Sequence, residues 1–310
     1  MAQLRSKLAR MLNAIAQAFD TVPTHWRLAR TQAGPAARSR ADMRFIDLGN
    51  TLIRLRQAGT RGPSLVIATD PPVPLELYDG LIASLANRYR VTAFELPGFG
   101  CSLPRVGFQL SMRSAVHAVT QLLRQLPHGP HVLALPCVTG FIALAIARAE
   151  PSLVGRLVLM QTPSWADAQL WLAGRDPNRI LQRPIVGQLA LAAMRNKRIR
   201  QWYRMALADQ GRVDEFSDAT LQNFADGGCV CLASAYQDFL QDHQGLLGPV
   251  AQDTLLVWGN ADPSHRTTDF YATQALTPNN CALQLDGAGH FPELEASAAF
   301  VSALDSFLRP

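Results

Sequence analysis

Short apolar runs and longer amphipathic stretches alternate along this chain. The runs Ser64–Ala68, Arg90–Phe94, Val132–Leu135, Leu157–Met160, Thr254–Trp258 and Ala282–Leu285 are strand-length and mostly apolar. They predict buried strands. Between them, residues 76–88, 111–126, 138–149, 264–276 and 293–308 carry apolar positions at helical spacing, as with Leu77, Leu81, Ile82 and Leu85. Near the start, Met43–Leu48 and Thr51–Arg56 flank Gly49-Asn50 and predict a hairpin. Strands alternating with helices at this spacing imply crossover units and a mostly parallel, doubly wound α/β sheet. Function in such sheets gathers at the carboxyl ends of the strands.

Residues 163–250 break the rhythm. They hold no strand-like run, only helical stripes such as Ile185-Leu189-Leu191-Met194 and Leu232-Tyr236-Phe239-Leu240. The stretch reads as a helical cap inserted into a core made of 43–162 and 251–310. Residues 1–42 stand apart as an amphipathic basic helix and a linker. Leu4, Leu8, Met11, Leu12, Ile15 and Phe19 fall on one stripe over 1–19, and 31–42 is linker-like. The helix packs on the body, docks a membrane surface or partner, or serves as an organelle transit segment.

Charge sharpens this division. The formal net charge is +5. Residues 1–45 hold eight Lys/Arg against two acids, +6, leaving −1 for the remainder. The folded body lacks the basic concentration that a nucleic-acid groove needs, so no nucleic-acid partner is expected. No apolar run approaches the about 20 residues of a membrane span. Five scattered cysteines, at 101, 137, 229, 231 and 281, include no C-x-x-C pair, so neither a zinc site nor a disulfide framework is suggested. No metal or cofactor is expected, and a reducing, cytoplasmic setting is the simplest expectation.

The candidate chemistry begins at His131 to Ala149. An apolar run breaks at Pro136-Cys137 and resumes as a helix rich in small residues. A strand turning sharply into a helix exposes the turn residue at the sheet's tip, above backbone N–H groups. That residue is Cys137, which could otherwise be a small buried thiol. Three further stretches accompany it: P-G-F-G-C-S at 97–102, W-G-N-A-D-P at 258–263 and G-A-G-H-F-P at 287–292. With these marks in this order, residues 43–310 resemble the α/β-hydrolase fold superfamily, whose helical cap sits where 163–250 lies. Cysteine in place of serine at the elbow also resembles dienelactone hydrolases and polyhydroxyalkanoate synthases. The chain is too short for the synthases, and the dienelactone enzymes lack a large insert here.

The resemblance implies a triad: Cys137 as nucleophile, Asp262 as acid and His290 as base. A thiol of pKa ~8.5 needs a base to remove its proton. A histidine can take that proton and return it to a leaving group, and a carboxylate fixes its tautomer. On the simpler alternative, Asp262 caps a turn and His290 is a loop histidine. The other histidines, including His265, lack a comparable setting, and Gln161, where a variant acid sometimes stands, does not ionise.

The oxyanion donors implied are the N–H of Val138 and one from the loop after Ala68. That loop reads Thr69-Asp70-Pro71, and Pro71, at the donor position, has no N–H. Losing one donor costs ~3 kcal/mol. The Val73 N–H or the Thr69 hydroxyl is the candidate substitute. An ionised Asp70 would repel an oxyanion. Asp70, Phe291, Trp165 and Trp171 are candidate substrate-binding residues, and the insert's aromatics suggest an apolar ligand. The chain is therefore expected to be an acyl-transfer enzyme for a small acyl ester, lactone or carrier-protein-bound thioester. Its acceptor would be water (hydrolase or thioesterase) or another nucleophile (cyclase or acyltransferase). The competing expectation is a non-hydrolytic scaffold that binds a ligand or a partner subunit.

Overall fold

In the computed structural model the apolar runs become strands of one sheet. The structure describes residues 11–21, 42–243 and 245–309. A helix over 11–21 (α1) precedes β1 (Met43–Asp47), β2 (Thr51–Ala58), β3 (Ser64–Ala68), α2 (Asp79–Leu85) and β4 (Arg90–Phe94). Two short strands follow, β5 (Phe99–Gly100) and β6 (Leu103–Pro104), then α3 (Met112–Gln125), β7 (His131–Pro136), α4 (Gly140–Ala149) and β8 (Val154–Met160). Next come α5 (Trp165–Arg175), α6 (Val186–Ala206), α7 (Val213–Ala225), β9 (Cys229–Val230) and α8 (Leu232–Ser234). The chain closes with β10 (Asp253–Gly259), β11 (Asn280–Leu285), α9 (Pro292–Glu295) and α10 (Ser297–Leu308). Residues 1–10, and the linker apart from Asp42, lie outside the described residues.

The strand order is β1-β2-β4-β3-β7-β8-β10-β11, with β6 also paired to β2. From β4 to β11 every neighbouring pair is parallel; β1, β2 and β6 supply the antiparallel pairings. Every residue of β3 and β7 is buried. Alternation divides their side chains between two apolar layers. Leu65 and Ile67 join α2, α10 and Tyr203 on one face, whereas Val66 and Ala68 join α3 and α4 on the other. The central apolar runs thus mark strands covered on both sides, whereas the last run, in the edge strand β11, is mostly exposed or half-buried.

One buried ion pair ties the loops above the sheet to it. Arg54 of β2, 1% exposed, donates from Nε to Glu95 Oε2 at 2.9 Å, and Glu95 follows β4. The same carboxylate accepts from the N–H groups of Leu75 and Cys101 at 3.1 and 2.7 Å. Removing one partner of such a pair costs about 3–5 kcal/mol, because the other is left as a buried unpaired charge.

Two details depart from the sequence reading, which leaves a third open. The segment read as strand-free contains β9, which pairs with β5. The helix read over 264–276 is two short 3₁₀ turns, Pro263–His265 and Ala272–Leu276, because Asp262 caps the first with Pro263 at its start. The apolar stripe of α1 faces outward: Ala16 and Gln17 are buried, while Met11, Ile15 and Phe19 are exposed.

Candidate active site

The carboxyl ends of five strands converge on one point. Thr69 to Pro72 follow β3, Cys137 follows β7, Gln161 follows β8, Asp262 follows β10 and His290 follows β11. Cys137 has φ 47°, a left-handed conformation that costs free energy outside glycine and recurs at functional turns. A 3₁₀ turn, Cys137–Thr139, leads from it into α4. The glycine that lets the helix approach the sheet is Gly140. A Cβ there would meet Thr162 Oγ1 at 2.3 Å, so Thr139 is tolerated one position earlier.

His290 is held from several sides. Its backbone N–H donates to Ala206 O at 2.9 Å, joining it to the end of α6. Its Nδ1 lies 2.8 Å from Asp262 Oδ2. Asp262 also accepts from Gln161 Nε2 at 2.6 Å and from the Ser264 N–H at 2.7 Å. Asp262 is therefore both a turn cap and the partner of the histidine. The Cys137 sulfur lies within 4.8 Å of ring nitrogens of His290 and His265. His265, set aside in the sequence reading, is buried and stacks on His290 at 5.1 Å. Its Nδ1 lies 2.8 Å from Thr268 Oγ1, and burial followed by the charge of His290 lowers its pKa to about 3.

The far side of His290 meets a second carboxylate. Nε2 is 3.2 Å from Asp70 Oδ2, but the two are misaligned and neither completes a hydrogen bond. Burial and the Asp70 charge raise the Cys137 thiol, against the charge of His290 and the Val138 N–H. Burial lowers His290, yet the charges of Asp262 and Cys137, the hydrogen bond of Asp262 and the nearby Asp70 carboxyl group outweigh it and leave the imidazole well above its ordinary value. Asp262 falls to about 2, since the charge and hydrogen bond of His290 overcome the cost of burial. Burial raises Asp70. Cys137 and His290 are thus both pushed toward their protonated forms, with Asp262 favoured as the carboxylate.

The oxyanion candidates separate. Val138 lines the cavity beside the sulfur. Pro71 lines it too but has no N–H to give. Val73 does not serve: its N–H donates to Asp70 O at 2.8 Å, and its side chain belongs to the core beneath. The Thr69 hydroxyl is buried without a partner, though Thr69 is not part of the cavity wall. The Asp70 N–H is spent on Tyr78 Oη at 3.1 Å, and Tyr78 in turn donates to Glu293 at 2.8 Å. The cavity lining includes Asp70 beside Pro71, in the loop where a donor is usual.

The cavity above Cys137 has a volume of about 580 Å³. Its walls are mainly apolar and include Leu96, Phe99, Trp171, Trp202 and Phe239, with Arg175 and Tyr236 among the polar groups. Two substrate-binding expectations are corrected. Phe291 is buried against His290, Tyr203 and Phe216, because the turn after His290 points it into the core. Trp165 packs on Phe141 and His243 behind the cavity wall. Trp171 does line the cavity and stacks on His265 at 5.6 Å, and Trp202 sits edge-on to His290 at 5.1 Å.

This strand order, with the elbow after β7 and the acid and histidine after β10 and β11, is a known architecture. The chain belongs to the α/β-hydrolase fold family, whose model matches residues 60–297. A pimeloyl-[acyl-carrier protein] methyl ester esterase of Nitrosomonas europaea is 24% identical over 260 residues, covering 79% of this chain and 95% of that protein. Among solved structures, an epoxide hydrolase from an endophytic Streptomyces superposes with a TM-score of 0.73 at 18% identity, covering 86% of this chain and 94% of its own. An enol-lactonase from Burkholderia xenovorans gives 0.65 at 16% identity, covering 86% and 99%.

Proposed function

We propose that this protein is an acyl-transfer enzyme with Cys137 as nucleophile, His290 as proton carrier and Asp262 as the group that positions it. One observation carries the proposal: a left-handed cysteine at the end of β7 faces a histidine fixed at 2.8 Å by a buried aspartate. The esterase and lactonase named above support an ester, lactone or carrier-bound thioester as substrate, and the apolar cavity supports an apolar acyl chain. Five free cysteines fit a reducing compartment such as the cytoplasm.

The reaction has two steps. With His290 in its neutral form, the sulfur passes its proton to the imidazole and attacks the acyl carbon. A C–S bond forms, the bond to the leaving group breaks, and His290 returns the proton to the leaving oxygen or sulfur. Water or another nucleophile then attacks the acyl-cysteine as His290 takes its proton, and thiolate leaves. The Val138 N–H stabilises the oxyanion in both steps. Incubation with an acyl thioester should give one acyl adduct by intact mass, mapped by peptide digestion to Cys137. Turnover without an adduct would reject covalent catalysis. Neither adduct nor turnover across thioesters, esters and lactones would favour a ligand-binding scaffold, the reading that the Asp70 carboxyl group beside Pro71 supports.

Asp70 acts in this scheme as a brake on simple hydrolysis. Asp70→Asn keeps the shape, removes the charge that raises Cys137 and the carboxyl group whose contact raises His290, and offers an N–H to the oxyanion. Acylation by a p-nitrophenyl ester at pH 7 should rise about tenfold, the worth of one pKa unit. The rising limb of the pH–rate profile should move to lower pH, because the pair loses its proton earlier. A large loss of rate in a folded variant would instead make Asp70 a proton carrier.

A further inference from the structure

Helix α1 is seated with its polar edge inward. Gln17 donates to Phe108 O and accepts from the Leu110 N–H at 3.3 Å, and Asp20 accepts from Ser234 Oγ at 2.6 Å. The opposite face is apolar: Met11, Leu12, Ile15 and Phe19 are 56%, 38%, 41% and 47% exposed. Within 11–21 the single charged side chain, Asp20, is the one turned inward. An amphipathic helix that served only to cap its own body would bury this stripe.

A second apolar strip adjoins it. On α6, Val186 and Leu189 are 49% and 55% exposed, and Gln188 beside them donates at 3.2 Å to Ser234 Oγ, the hydroxyl that bonds Asp20. The sequence on either side of α1 is basic, and so is α6. In sequence, Arg5, Lys7 and Arg10 precede the helix, Arg27, Arg30, Arg38 and Arg40 follow it, and Asp20 and Asp42 are the acids of residues 1–45. Helix α6 holds five Lys/Arg and no acid; Arg200 is paired to Asp214 and Asp218, while Lys197 and Arg198 are exposed. Phe19, Leu191 and Arg198 also line the cavity that reaches Cys137.

We infer that the outer face of α1, with the adjoining strip of α6, is a peripheral docking surface for an anionic phospholipid bilayer. An apolar stripe in a segment whose sequence is rich in arginine and lysine has the composition that lies in a lipid interface and is drawn to anionic headgroups. Two copies of this face would bring like charges together, which disfavours self-association as its cover. Docked this way, the cavity mouth lies at the bilayer, and an apolar acyl substrate has a direct route in.

The test is co-sedimentation of the full chain with vesicles of phosphatidylcholine and phosphatidylglycerol, with pure phosphatidylcholine as control. Binding is expected to the mixed vesicles, to weaken as salt rises to about 0.5 M, and to fall about tenfold or more in the variant Met11→Glu/Ile15→Glu. Both side chains are exposed and neither lines the cavity, so the variant should melt like the parent. Equal binding to neutral vesicles, no binding to either, or unchanged binding by the variant overturns the inference. So does a concentration-dependent dimer, seen by light scattering without lipid, that the variant dissolves.

Discussion

Cys137→Ala is expected to abolish acyl-enzyme formation and to lower turnover about 10⁴-fold or more, since removing the nucleophile of a triad leaves only binding and oxyanion stabilisation. The protein itself should survive. The site is 5% exposed, the thiol behaves as a small apolar group, and alanine leaves its packing largely intact. Cys137→Ser is the sharper probe. A hydroxyl depends more on its base than a thiol does, and the acidic neighbours of His290 favour the protonated form that cannot act as one. The serine variant should acylate slowly and raise the share of product that goes to water, because acyl-serine is less reactive toward amines and thiols. Stopped-flow release of p-nitrophenolate with intact mass separates acylation from deacylation. Full turnover by Cys137→Ala would assign the chemistry to His290 and Asp70 without a covalent intermediate.

The parts of the site legible in the sequence are those marked by local punctuation. Cys137 stands where an apolar run breaks, and Asp262 and His290 sit in turn sequences directly after apolar runs. The fold could be read for the same reason, because strands buried on both faces are nearly continuous apolar runs. What escaped depends on contacts between distant segments. Asp70 reads as a substrate-binding candidate at the oxyanion loop; that its carboxyl group reaches His290 follows only from the adjacency of β3 and β7 and from where β11 ends. His265 looked like one position of a longer helix, yet the turn capped by Asp262 places its ring against His290. Phe291 and Trp165 were misassigned because aromatic side chains serve a core and a cavity equally well. The stripe on α1 was legible as amphipathic, but which face meets the body was decided by the hydrogen bonds of Gln17 and Asp20.

Gln161 gives the last prediction its force. It stands at the end of β8, fully buried with φ 50°, and bridges two strands: Nε2 donates to Asp262 Oδ2, and Oε1 accepts from the Gly259 N–H at 2.8 Å. Asp262→Asn replaces an all-acceptor group with one that must donate on one side. If its oxygen keeps the Ser264 N–H, its NH₂ faces His290 Nδ1 and Gln161 Nε2, so His290 must place its proton on Nε2, where it cannot take one from Cys137. Turnover should fall about 10³–10⁴-fold, as expected when a triad histidine is held in the wrong tautomer. Stability should fall too. A carboxylate lowered from 3.8 to about 2 contributes roughly 2 kcal/mol above pH 4, lost as pH drops through 2, so the variant's acid limb should be flatter. Gln161→Glu in that background supplies a carboxylate from the neighbouring strand end, within reach of the same Nδ1. The double variant should recover about tenfold or more of the lost rate and restore the parental pH profile, since a buried carboxylate next to an imidazole favours the imidazolium. In the parent background, Gln161→Glu should instead destabilise, because two buried carboxylates would then share one imidazole. If the double variant folds but regains no rate, Asp262 matters as a turn cap, and the positioning role assigned to it fails.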